Sequence, residues 1–400
     1  MQYTLTPRQV HALATQLLLT PLAWTDYKRR CPVTTLLGVV FAACQRLTSL
    51  FLAAKSLLGA PAPETVRKAL LANLPAADLL ERRLNRALRD RWPRALHKRR
   101  KRRFRLALDL TLIPYHGRPC HQADELYRGQ VKSGTSHFHA YATLYLLLHG
   151  QRYTVALSWV RQGEALAGVA QRLLQAAAHA AVRPALLLLD RGFYAVDVIR
   201  YLQAARCPFL MPVPLKGRKA DHPKGPGGTR VFAVWRHSGF ATYQLSPSGG
   251  RRATVRICVP CRNRRGRRGK RGRERLVYAL WGFAPPAPAA VSTWYRRRFG
   301  IESSYRQLNQ ARPRTCSRDP RVRLFLVGVS LLLRNVWVWL HAEVLARPRH
   351  GRRRLNLQRL RFKELLLQLF EVVWETLGGP RIPPPQALPN QELESTRPTS

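Results

Sequence analysis

Apolar positions recur every three to four residues through roughly the first ninety positions, the period of helices buried along one face. Thr6-Pro7 reads as an N-cap and first-turn proline, opening a helix through about Leu19. Helical periodicity continues over 34–58 and 63–91, with Gly59-Ala-Pro-Ala-Pro63 as the break. From Phe104 the pattern becomes alternation and then a continuous apolar run, Phe104-Arg-Leu-Ala-Leu-Asp-Leu-Thr-Leu-Ile113, which predicts a strand with Asp109 inside it. Two further strands, 137–149 and 151–160, flank Gly150 as a hairpin. A helix is expected over 164–181. Leu186-Leu-Leu-Leu189 then ends abruptly in Asp190-Arg-Gly192, a buried strand presenting an acid at its C-terminal end. A helix from Val196 and a short strand over 208–213 follow.

Between about 227 and 283 the pattern consists of short β-like runs at 231–235, 240–245, 253–259 and 275–281. Among them lies a glycine- and cation-rich stretch, 262–273, expected to be a mobile loop that orders on phosphates. After Ala284-Pro-Pro-Ala-Pro288 a helix is expected through Asn309. At 100° per residue, Tyr295, Arg298, Glu302, Arg306 and Asn309 would share an arc of roughly 60°. A long apolar helix over 321–346, a last helix over about 356–377 and a polar, proline-rich tail complete the chain. The segmentation is 1–97 helical, 98–226 first part of a core, 227–283 β insertion, 284–347 second part of the core, and 348–400 C-terminal helix and disordered tail.

Charge narrows the class. Lys and Arg number 69 against 21 Asp and Glu, for a formal net charge of +48. So cationic a chain implies a polyanionic partner, nucleic acid first and an anionic membrane surface second. The apolar run 324–333 is too short to span a bilayer, and the N-terminus lacks the pattern of a secretory signal. Seven scattered cysteines suggest a reducing cytoplasm. Lys98, Arg99, Arg100, Lys101, Arg102 and Arg103 form an unbroken cationic run, either an arm on the DNA backbone or a solvated linker. Residues 1–97 read as a DNA-end reader or, equally, as a plain packing unit.

With so few acids, each placed one needs a reason. Burying Asp109 unpartnered would cost several kcal/mol, so it either binds a metal ion or is a hydrogen-bonded structural group. Glu302, surrounded by cations, either holds a divalent metal or pairs with Arg298 or Arg306. Asp124, Glu125, Glu164 and Asp197 sit where acids cap helices or oppose dipoles. Cys258-Val-Pro-Cys261 is half of a zinc motif, and His137 and His139 with Cys120 or His121 are a second metal candidate or a packed or solvated pair.

Three strands with Asp109 on the first, a helix, a strand ending in Asp190, a β insertion and a helix with Glu302 follow the order of an RNase H-like α/β fold: a mixed sheet flanked by helices, with an inserted β subdomain and an all-helical N-terminal region. Here the chain resembles the DDE transposases of bacterial and archaeal insertion sequences, specifically those with a β-strand insertion before the Glu. Asp109-Leu-Thr-Leu-Ile-Pro-Tyr-His-Gly117 is similar to that family's first-acid motif, with His116 in place of a second Tyr. Asp190-Arg-Gly-Phe-Tyr194 is similar to the second, and Tyr295, Arg298 and Glu302 match the Tyr-x2-Arg-x3-Glu signature. The expected Lys seven residues on is Asn309, leaving Arg306 or Arg312 to compensate.

The resemblance implies a transposase that cleaves double-stranded DNA at element ends and transfers the 3′-hydroxyl into target DNA. Two Mg2+ (or Mn2+) ions are implied, with Asp109 touching both and Asp190 and Glu302 one each. Tyr295, Arg298 and, more weakly, Asn309 would hold end phosphates. A homodimer on paired transposon ends in a prokaryotic, nucleoid-associated setting is implied too. The alternative is a non-catalytic DNA-binding derivative, which Asn309 favours and the three retained acids oppose; a basic RNA-binding protein would explain the charge but not the acids.

Overall fold

The computed structural model describes residues 6–90, 103–148, 151–246, 250–265, 271–296, 298, 308–345, 347–349, 352–354 and 359–379. The helical half begins with α1 (Pro7–Leu22), opened by a capping box in which the Thr6 side chain accepts from the Gln9 amide at 3.3 Å and Gln9 accepts from the Thr6 amide at 2.9 Å. There follow α2 (Val33–Arg46), α3 (Leu50–Ser56), α4 (Pro63–Asn73) and α5 (Ala77–Asp90). The last described helix rejoins this layer. Helix α10 (Phe362–Leu377) packs on α1 and α2, and Arg8 meets Glu375 at 3.1 Å.

Helix α9 (Pro320–Leu340) ties that layer to the sheet, touching α5 and strand β4 (Gln151–Val160). Pro320–Leu345 is long and apolar enough to cross a membrane, but 94% of its apolar window is buried inside the protein, the mark of a core helix. Its Gly328 permits the close approach of α5: a Cβ there would lie 2.6 Å from a Leu84 methyl carbon.

Strand β1 (Arg103–Pro114) is central. It pairs antiparallel with β3 (Thr135–Leu148), setting Asp109 opposite Thr143, and parallel with β5 (Arg183–Leu189), setting Leu108 opposite Leu189. Strand β4 forms the expected hairpin with β3, and β2 (Tyr127–Lys132) lies beside the start of β3. The outer edge of β4 is closed by two amides rather than a strand. Asn85 of α5 bonds both the amide and the carbonyl of Leu157, at 2.7 and 2.9 Å, and Asn335 of α9 does the same for Thr154, at 2.9 Å each.

Helix α6 (Leu166–Ala178) links β4 to β5, and α7 (Val196–Ala204) links β5 to the parallel β6 (Phe209–Pro212). Strands β7 (Gly239–Leu245), β8 (Ala253–Val259) and β11 (Tyr278–Trp281) then extend the same sheet in the order β6-β11-β8-β7. The inserted strands thus continue the core sheet. The strand expected at 231–235 is instead part of a 3-10 turn, Gly228–Val234. The stretch 262–273, expected to be a loop, instead holds most of two paired antiparallel strands, β9 (Cys261–Arg265) and β10 (Arg271–Arg275); residues 266–270 lie outside the described residues. The basic link after α9 likewise holds a small ribbon of β12 (Arg347–Arg349) and β13 (Arg352–Arg354). Runs of arginine carry no apolar alternation, so neither ribbon has a sequence period to betray it.

Candidate active site

Asp109 lies in the middle of β1, 7% exposed, and its Oδ1 accepts the Leu110 amide at 2.9 Å. Asp190 follows the last residue of β5 and opens the 3-10 turn Arg191–Phe193. Because Leu108 is opposite Leu189 in the parallel pair, the two acids come next to each other at the C-terminal end of β5. That is the edge where open α/β sheets place their sites. Asp190 is the more open, with its side chain 41% exposed.

Helix α8 (Pro288–Arg296) brings in the rest. The Tyr295 hydroxyl donates to the Leu189 carbonyl at 3.2 Å and accepts from Arg298 Nη1 at 3.1 Å. A single nitrogen of Arg298, Nη2, lies 3.0 Å from Oδ1 of Asp109 and 3.1 Å from Oδ1 of Asp190. Burial pushes the Asp109 carboxyl up to about 6; Arg298 opposes that shift and the like charge of Asp190 adds to it. Burial works against the Arg298 charge, but Asp109, Tyr295 and Asp190 together hold it above the usual guanidinium range. Burial likewise raises the Tyr295 phenol, which keeps its proton and can donate.

The continuous helix expected from Trp294 to Asn309 is not what the described residues form. Helix α8 ends at Arg296, and Arg298 follows in a turn whose amide donates to the Tyr295 carbonyl at 2.8 Å. Asn309 is exposed in a separate helical stretch, 308–311. Glu302, Arg306, Lys98, Arg99, Arg100, Lys101 and Arg102 lie outside the described residues, and Arg103 is exposed at the start of β1. Tyr295 and Arg298, expected on DNA phosphates, are placed here against the acids and the strand that carries one of them. No local period could have signalled this contact, which spans 189 residues of chain.

The remaining acids are engaged elsewhere. Glu125 accepts the Cys120 and His121 amides at 2.7 and 3.2 Å, Glu164 pairs with Arg172, Asp124 is 3.8 Å from Arg161, and Asp197 is 3.7 Å from Arg251. Cys258 is buried, with its thiol on the Pro288 carbonyl, and the Cys261 thiol is on the Trp235 carbonyl. His139 is buried edge-on to Tyr115, and burial pushes it down to about 3, with Arg323 adding to the shift. Among the described residues, no three His, Cys, Asp or Glu side chains converge as a metal cluster.

Two carboxylates that share one cationic nitrogen, with a buried Asp raised partly by its neighbour's charge, are a donor pair fit for a hard divalent ion. Oxygen ligands suit Mg2+ or Mn2+ rather than softer metals.

Among solved structures, the chain is similar to a piggyBac transposase in a synaptic complex with hairpin DNA, determined by cryo-electron microscopy. The two are 10% identical, the likeness covers 94% of this chain and 82% of that one, and the TM-score is 0.53, which supports a shared fold. No protein of curated function matches. The sequence matches the transposase DDE domain family over residues 101–336, a span that runs from the start of β1 through most of α9 and holds both acids and Arg298. By that match over more than half its length, the chain belongs to the DDE transposases, enzymes that cut and rejoin DNA.

Proposed function

We propose that this transposase cuts at the ends of its own element and transfers the resulting 3′-hydroxyl into target DNA at a two-metal site formed by Asp109, Asp190 and Glu302. The observation that carries the reading is the convergence of Asp109 and Asp190 on one cation at the sheet edge. By the family resemblance, Asp109 would touch both ions, and Asp190 and Glu302 would hold one each. Bound Mg2+ or Mn2+ would make water a nucleophile and stabilise charge on the leaving oxygen.

The chain's own task is placement. The ladder of β1 and β5 sets the backbones of the two acids side by side, so little backbone reorganisation is needed when ligands arrive. Tyr295 ties α8 to the carbonyl preceding Asp190. The excess positive charge favours double-stranded DNA, both terminal repeats and target, through phosphate contacts. A homodimer that pairs two ends, working in the cytoplasm on the nucleoid, completes the reading.

The test is cleavage of the DNA flanking the gene, in Mg2+ or Mn2+, by wild type beside Asp190→Asn. End-specific nicking that disappears in the variant supports the proposal. Binding without nicking by the wild type overturns it in favour of a DNA-binding protein that does no chemistry.

A further inference from the structure

Nη2 of Arg298 stands between Asp109 and Asp190, where a bridging cation would be, and the side chain is 12% exposed. Nη1 is on the Tyr295 hydroxyl, while the buried Nε–H has no hydrogen-bond acceptor among the described residues. An arginine whose final role were to neutralise these acids could spend its donors fully. This one keeps a donor unspent among the described residues, in a chain whose net charge of +48 favours a polyanion.

A divalent ion bridging the same two Oδ1 atoms would need lone pairs that Nη2 now occupies, and the guanidinium charge would repel it, so the two compete for the site. Displaced, the guanidinium remains charged and requires an acceptor. A phosphate oxygen pair matches its planar fork.

We propose that Arg298 is a positioning residue that serves as the resident counter-ion of Asp109 and Asp190, displaced by the metal and handed to a DNA phosphate, so that metal and DNA each strengthen binding of the other. The proposal rests on the metal-site reading above. Linkage makes the effect reciprocal: whatever Arg298 subtracts from metal affinity without DNA is returned when a phosphate takes it. Without DNA the protein is loaded poorly, which restrains stray hydrolysis. Tyr295 sets how firmly Arg298 is held, since its hydroxyl binds both Arg298 and the strand.

The experiment is calorimetric titration of Mn2+ into metal-stripped full-length protein, with and without a short blunt DNA duplex. Arg298→Gln is expected to bind Mn2+ about tenfold more tightly than wild type without DNA, a factor ordinary for coupled sites, and to lose most of the gain the duplex gives wild type. Arg191→Gln, which removes a nearby exposed cation, is expected to change Mn2+ affinity by about twofold at most, because exposed charges are screened. Arg298→Gln binding Mn2+ no more tightly than wild type overturns the proposal, as does an equal gain in Arg191→Gln. Should Arg298→Gln not fold, Arg298→Lys, too short to reach both acids, supplies the same comparison through the melting shift that Mn2+ produces. Wild-type affinity that survives Asp190→Asn would instead sink the metal-site reading, whatever Arg298 does.

Discussion

The Tyr295 hydroxyl donates a hydrogen bond of 3.2 Å to the carbonyl of Leu189, the residue directly before Asp190. The bond fixes α8 to the end of β5, so the helix that leads into Arg298 and the strand that leads into the second acid move together. Tyr295→Phe removes it and leaves a buried carbonyl with one partner fewer. A loss of about 1–2 kcal/mol is expected in denaturant unfolding, the usual cost of deleting one side of a buried hydrogen bond. An unchanged midpoint would show that the bond is not made.

Glu81 sets a pH dependence. Its carboxylate accepts the Trp159 amide at 2.8 Å and lies 3.8 Å from Arg172, yet burial pushes it up to about 7 despite those contacts. Its folded value is above the ordinary 4.5, so its contribution to stability is full below 4.5 and is lost as pH rises through about 7. Glu81→Gln keeps an acceptor for Trp159 and cannot ionise. The variant should therefore gain on wild type by a few kcal/mol on going from pH 5 to pH 8, as an order-of-magnitude linkage effect. Melting curves at the two values check it; a gap that does not widen with pH would refute it.

The edge of β4 depends on two amides. Asn85→Ala leaves the Leu157 amide and carbonyl without their side-chain partner, and Asn335→Ala does the same at Thr154. Each is expected to destabilise by about 2–4 kcal/mol, since two buried backbone groups are stranded at once. Faster hydrogen exchange confined to β4 would identify the cause. Uniform exchange across the sheet would argue for general loosening instead.

Gly328→Ala tests the approach of α5 to α9. The added methyl meets Leu84, whose nearest atom would be 2.6 Å away. About 1–3 kcal/mol of overpacking is expected, more than the helix propensity of Ala can offset. Combining it with Leu84→Ala should recover part of the loss, and a double variant no better than either single one would place the strain elsewhere.

The sequence alone determined the elements whose residues face one neighbour in a fixed period. A carboxylate inside an apolar alternation marked Asp109, and one at the abrupt end of four leucines marked Asp190, because burying a charge there requires a function or a partner. The apolar alternation of 253–259 and 151–160 marks two strands at their observed limits. Tertiary structure decided what meets at a distance. The register of Leu108 opposite Leu189 sets the acids side by side, and a guanidinium 189 residues from Asp109 lies between them. The inserted strands join the main sheet, and α10 returns to the first helices, through pairings that leave no local trace. Periodicity records which face of an element is buried, whereas the partner that covers that face is chosen by the whole chain folding at once.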